Sequence, residues 1–181
     1  MVEIISIEPL QRKVDQSMLI KAFGSLNGAV ESISQLRRVI VDPSGYLIMH
    51  GSFVNGRCQN PTSPFYGKTS DDGRLSDLDF ALTDYLLFRE LPSREICILP
   101  STPISVQGKL SHSLTYPNGN IKDFLKKKKG GAYYQLYLWL KQTGELTGRK
   151  IDLRIYQDFG TWINQQKPYW ILADSSGIRI Q

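Results

Sequence analysis

Cysteine and histidine are scarce in this chain of 181 residues, with two of each. Cys58, Cys97, His50 and His112 all stand alone. Isolated cysteines build no disulfide framework, and no Cys-x-x-Cys or paired histidine offers zinc spacing. Long apolar runs are also missing. No stretch reaches the roughly 20 residues that a membrane span needs, and the first residues lack the basic-then-apolar pattern of a secretory signal. The expectation is a protein with no membrane partner, working in the cytoplasm. Charge of one sign does not dominate: 22 Lys and Arg against 17 Asp and Glu leave a net +5. That excess is compatible with a polyanionic partner but too small to demand one. There is no internal repeat and no dividing linker. At 41% hydrophobic and 22% charged residues, the chain reads as globular, and 1–181 suits a single domain with a real core.

Periodicity sketches the elements. Val2 to Ile7 is a short β-like run. From Asp15, apolar residues recur at Leu19, Ala22, Phe23, Leu26, Val30, Ile33, Leu36 and Ile40. This predicts an N-terminal helical segment over 15–41, weakened and open to splitting at Gly24 and Gly28. Asp42-Pro43-Ser44-Gly45 has turn chemistry, and Tyr46 to His50 reads as a buried strand running into Gly51-Ser52. Residues 55–76 are loop-like. Tyr85 to Leu91 makes a helical turn or two. Ile96 to Leu99 and Ile104 to Leu110 read as a β-hairpin, with Tyr116-Pro117-Asn118-Gly119 a further turn. Gly131 to Gln142 is apolar nearly all round, a buried helix in preference to a core strand. Lys150 to Tyr156 is the last strand assigned, and the short Ile171-Leu172-Ala173 run is left without a type. The fold class expected is α+β, a mixed central sheet flanked by helices with an added β-hairpin.

The chemistry concentrates in Ser76-Asp77-Leu78-Asp79-Phe80-Ala81-Leu82-Thr83. Its alternation is that of a half-buried strand, which puts Asp77 and Asp79 on one side, roughly 6–7 Å apart. Two anions that close raise one another's pKa unless a cation intervenes, and a hard divalent ion is the natural neutraliser. A third carboxylate, Asp152, stands in the strand Lys150-Ile151-Asp152-Leu153-Arg154-Ile155. At Gly51-Ser52 a residue without a side chain lets backbone N–H groups approach an anion, and a hydroxyl is ready to donate. The bland reading of each is a solvated strand carboxylate, a turn serine and a glycine needed only by the backbone. Together they are what two-metal phosphoryl or nucleotidyl transfer needs, with ions about 3.5–4 Å apart. Lys126, Lys127, Lys128 and Lys129 form a basic block, either a solvated face or a nucleic-acid contact.

In this order, Gly51-Ser52-Phe53-x-x-Gly56, the Ser76–Thr83 strand and Arg149-Lys150-Ile151-Asp152-Leu153-Arg154-Ile155 resemble the DNA polymerase beta superfamily of nucleotidyltransferases, over a core of about 46–156. The Gly-Ser-Phe start and Asp-Leu-Arg finish are similar to the palm of family X polymerases. Ser-Asp-Leu-Asp suits equally the minimal nucleotidyltransferases of toxin, antitoxin and antibiotic-modifying proteins. The resemblance implies the nucleotidyltransferase fold and a magnesium-dependent transfer of a nucleoside monophosphate from a triphosphate such as ATP to an acceptor hydroxyl. By that likeness Asp77 and Asp79 bind two magnesium ions (manganese being the alternative). Asp152 ligates the catalytic ion and assists the base, and Gly51 and Ser52 hold the β- and γ-phosphates. Where some members carry a phosphate-gripping arginine this chain has Asn55, so Arg57, Lys68 or Arg74 is the expected substitute. The Phe53–Ser76 stretch is longer than the family's, which makes it a lid or acceptor loop, or else removes Gly51-Ser52 from the phosphate turn. The stretch after Asp152 holds no full thumb or helix-hairpin-helix pattern, so terminal addition of one or a few nucleotides is expected. RNA or a tRNA end is the favoured acceptor, a protein side chain the next. A toxin domain would bring an inhibitory partner protein. The rival readings are a non-catalytic basic nucleic-acid-binding module and a metal-dependent nuclease.

Overall fold

The computed structural model describes residues 10–58, 61–69, 75–89, 96–98, 110–116, 132–163 and 167–180. The Val2–Ile7 run, Arg74, the Ile104–Lys109 part of the expected hairpin, the turn after Tyr116 and the Lys126–Lys129 block lie outside them. Two helices open the described chain, α1 (Gln16–Phe23) and α2 (Leu26–Arg37). The helical period is split where glycine allows it. Asp15 caps α1 by accepting from Ser17 N at 2.9 Å, Gly24 leaves it at φ +78°, and Ser25 caps α2 through Gly28 N at 2.9 Å.

The strands are β1 (Tyr46–His50), β2 (Leu78–Thr83), β3 (Ile96–Ile98), β4 (Leu110–Tyr116), β5 (Ile151–Tyr156), β6 (Tyr169–Asp174) and β7 (Gly177–Ile178). Among them lie the short helices α3 (Ser52–Asn55), α4 (Tyr85–Arg89) and α6 (Phe159–Ile163), and the longer α5 (Ala132–Thr147). One open sheet of order β3-β4-β5-β2-β1-β6-β7 results. It is mixed: β2 and β5 run parallel, and every other pairing is antiparallel. A mixed sheet flanked by helices is the architecture expected. β3 pairs with Leu110–His112 of β4, so the described part of the expected hairpin is its Leu110 end, and β4 runs on to Tyr116. β6, unassigned from sequence, pairs along the whole of β1. The apolar run expected as a buried helix falls within α5, which buries one face: Leu136, Trp139, Leu140 and Thr143, at helical spacing, are buried.

The two faces of the sheet are unequal. The back face presents Leu47, Met49, Leu78, Phe80, Leu82, Leu153 and Ile155 to α1, α2 and α5 in the main core. The front face has a smaller cluster, Ile48, Ala81, Tyr156 and Tyr169, roofed by Trp162 of α6. Because side chains alternate along a strand, the residues between the back-face apolar ones all face front. In β2 these are Asp79, Ala81 and Thr83; in β5 they are Asp152, Arg154 and Tyr156. α6 roofs only part of this surface, so the carboxylate end stays half-open. Among the described residues no helix is long and apolar enough to cross a membrane.

Asp84, which follows β2, shows what a structural carboxylate looks like here. It is 1% exposed and accepts from Val41 N at 2.7 Å, Asp42 N at 3.1 Å and Leu87 N at 2.9 Å. It thereby caps α4 and ties the α2–β1 turn to the end of β2. Asp84→Ala strands three backbone donors, and we expect it to cost about 2–4 kcal/mol. Chemical denaturation measures this.

Candidate functional site

The register of the sheet assembles the site. Across the front face, Tyr169 of β6 pairs with His50 of β1, His50 with Asp79 of β2, and Asp79 with Asp152 of β5. One step further along the sheet, Ile171, Ile48, Ala81 and Arg154 form the next row. Asp77 directly precedes β2, where the sequence pattern had carried the strand on through it. It stays beside the strand ends because Leu78 N bonds Lys150 O at 2.9 Å. Carboxylates separated by 73 and 75 positions in the chain thus come to one end of one face.

Their electrostatics is unbalanced. Lys150 Nζ lies 3.3 Å from Asp77 Oδ2 and 3.7 Å from Asp152 Oδ2. Burial works against the Lys150 charge, but Asp152 and Asp77 outweigh it and its pKa is raised. Asp79 has no comparable partner among the described residues. Burial, then repulsion from Asp152 and Asp77, push it up to about 6, and Lys150 and Lys167 pull it only partly back. Asp84, with three backbone donors, has the partners that Asp79 lacks. A half-buried carboxylate without donors, facing two others, is a poor structural choice and a good cation ligand.

Gly51 brings the Gly-Ser turn to the same place. It sits at φ +81°, a conformation that side chains disfavour. A Cβ there would fall well inside contact distance of Asp79 Oδ2 and 3.0 Å from its Cγ. Gly51 opens the single turn of α3, so the backbone passes directly over the Asp79 carboxylate before Ser52. Arg149, 5% exposed, joins the two halves. Its Nη1 donates to Ser76 O at 3.0 Å, and its guanidinium lies 5.2 Å from the Phe53 ring centre.

Among the expected phosphate-gripping cations, Arg57 is exposed and bridges Thr69 in the α3–β2 connection. Lys68 lies over the Phe65 ring, 5.5 Å from its centre. No described contact ties either to the carboxylates. The front face instead supplies three groups that sequence reasoning passed over: His50, Arg154 and Lys167. Burial, with help from Lys167 and Arg154, holds His50 down at about 3, so its imidazole is neutral near pH 7. Single residues of common types carry no spacing signal. The weak clue was strand parity, which puts Arg154 on the Asp152 face.

The donor set is chemically right for a hard cation: three half-buried carboxylates, all oxygen, on one face. Among the described residues no group of three or more acidic, histidine or cysteine side chains is drawn tightly enough to form a metal centre as it stands. Asp77 and Asp152 are turned to the Lys150 ammonium instead. If Lys150 competes with a cation for these oxygens, Lys150→Met is expected to tighten magnesium binding about fivefold. Magnesium titration of thermal stability reads this, and weaker binding would make Lys150 a supporting group. A cavity of about 540 Å³ lined by Gln35, Arg38, Gln135 and Trp139 lies on the other side of the sheet, between α2 and α5.

No family model, curated protein or solved structure matches the chain. The chemistry of these side chains is the ground on which a function rests.

Proposed function

We propose that this protein is a nucleotidyltransferase with the nucleotidyltransferase fold, moving a nucleoside monophosphate from a triphosphate to an acceptor hydroxyl with release of pyrophosphate. The observation that carries the reading is the meeting of Asp77, Asp79 and Asp152 on one sheet face, with the Gly51–Ser52 backbone lying against Asp79. A structural role explains neither Asp79, which has no hydrogen-bond donor among the described residues, nor the glycine over it.

The roles follow from position. Asp77, Asp79 and Asp152 would hold magnesium, which when bound supplies positive charge to the triphosphate and makes the acceptor hydroxyl easier to deprotonate. Gly51 lets the backbone lie against the Asp79 carboxylate, so the turn at Ser52 would meet a phosphate beside the metal-holding groups. Asp152 stands at the β5 side of the row, next to β4, and would accept the proton of the attacking hydroxyl. Arg149 fixes the backbone ahead of Asp77 and the ring that follows Ser52, holding the two halves in register. The net charge of +5 supports an RNA acceptor, since phosphate contacts dominate such affinity.

The test supplies each α-labelled triphosphate with magnesium, and total RNA or total protein as acceptor. Label is expected on one macromolecule, with pyrophosphate released in equal amount, and Asp152→Asn is expected to lower the rate at least about a hundredfold. Release of nucleotides from RNA without added triphosphate would make the site a nuclease. RNA retention with no transfer, unchanged in Asp152→Asn, would make the chain a binding module.

A further inference from the structure

The front face carries a second set of groups that transfer by the carboxylates does not use. Arg154 follows Asp152 by two positions on the same face, beside the small Ala81. Lys167 precedes Tyr169 by two positions, on the far side of β1 from Arg154. Between them stand His50, 8% exposed, and Trp162, fully buried, with ring centres 5.7 Å apart. His50 Nδ1 and Trp162 Nε1 are buried and have no hydrogen-bond partner among the described residues. Among those residues no carboxylate pairs with Arg154 or Lys167 either. The two cations are close enough to act on one another. Burial and then Arg154 hold Lys167 below the ordinary lysine value, with Asp79 pulling the other way. Lys167 is exposed as a residue, and it lies two positions ahead of Tyr169, which pairs with His50.

These groups share one chemistry. A guanidinium, an ammonium and an indole N–H donate and never accept, and a neutral imidazole can present Nδ1–H. Buried donors without partners are costly, and so are like charges gathered together. A solvated basic patch explains exposed lysines and arginines, but not two ring nitrogens shut away from water beside them. An oxyanion is the kind of acceptor that suits all four donors.

We propose that Arg154, Lys167, His50 and Trp162 form an oxyanion subsite beside Asp79 that takes a phosphate group of the substrate. That the phosphate belongs to a substrate rests on the transfer reading; the anion site itself does not. The phosphate could belong to the triphosphate or to the acceptor, and the two separate kinetically.

Inorganic phosphate titrated into the full chain in EDTA, followed by tryptophan fluorescence and thermal shift, tests the site without metal or transfer. Saturable binding is expected. It should weaken about tenfold in Arg154→Gln and in Lys167→Gln, which each lose a charge-assisted donor. It should weaken less in Trp162→Phe, which keeps the ring and loses only the N–H. Asp79→Asn should bind phosphate more tightly than wild type, because a repelling charge is gone. No saturable binding in either wild type or Asp79→Asn would overturn the proposal, and so would equal affinity in both charge variants. In the transfer reaction, a raised KM for triphosphate in Arg154→Gln assigns the subsite to the triphosphate, and a raised KM for acceptor assigns it to the acceptor. Phosphate binding lost in these variants, with no transfer under any condition, would leave the subsite standing and remove the transferase.

Discussion

Asp79→Asn is expected to make the metal-free protein more stable while abolishing nucleotidyl transfer. The Asp79 pKa rises from 3.8 to about 6 on folding, through burial and the repulsion of Asp152 and Asp77. A carboxyl whose folded pKa is raised binds its proton more tightly in the native state. Its stabilising contribution is therefore complete below pH 3.8 and is lost as the pH rises through about 6. At about 1.4 kcal/mol per pH unit, the upper bound is about 3 kcal/mol, and partial exposure lowers the expected gain to about 2 kcal/mol. Asparagine keeps the shape and removes the charge, so Tm at pH 7.5 should rise by roughly 4–8 °C in EDTA. At pH 4, where Asp79 is already protonated, the two proteins should melt together. Magnesium should close the gap at pH 7.5 by stabilising only the wild type. Transfer should fall at least about a hundredfold, because the charge that burial disfavours is the one proposed to hold the metal. Asp84→Ala is the control, losing stability through its three backbone donors.

Gly51→Ala should separate function from stability in the other direction. The backbone there, at φ +81° and ψ −162°, lies in a region that only glycine adopts readily, and it alone costs about 1–3 kcal/mol with a Cβ present. The added methyl would also meet the Asp79 carboxylate, the free end of a short side chain that can rotate away. The stability loss should therefore stay within a few kcal/mol, while a displaced Asp79 costs transfer about a hundredfold or more. The cause can be isolated by repeating the substitution in an Asp79→Ala background. There only the backbone strain remains, and a coupling of about 1 kcal/mol between the two positions is expected from denaturation. Additive effects would mean that Gly51 serves the turn alone.

What could be read from the sequence follows from which interactions are local. The alternation of Ser76–Thr83 and of Lys150–Tyr156 is local, so the shared facing of Asp79 and Asp152 was legible within each strand. That the two strands are direct neighbours, Asp79 opposite Asp152, was fixed only by the parallel pairing. The split at Gly24 was legible because a positive φ has its own residue signature. That β4 runs on to Tyr116 was not, since Leu110–Tyr116 has little apolar alternation of its own and is placed by its neighbours β3 and β5. β6 read as a mere apolar run because Trp170 and Leu172 serve the back core while Tyr169 and Ile171 face front, which removes the alternation. His50, Arg154 and Lys167 gain meaning from the strands on either side of them. Asp84 shows the same limit from the other side. It stands five positions from Asp79 and is chemically identical, and only its three backbone donors mark it as structural.

The central claim, that three carboxylates share a divalent cation beside a triphosphate, is tested most directly by manganese binding followed by electron paramagnetic resonance with a non-hydrolysable triphosphate analogue present. The account predicts saturable Mn²⁺ binding by the wild-type protein, tightened by the analogue and lost in Asp79→Asn. Undiminished binding in Asp79→Asn, or none in the wild type, would contradict it.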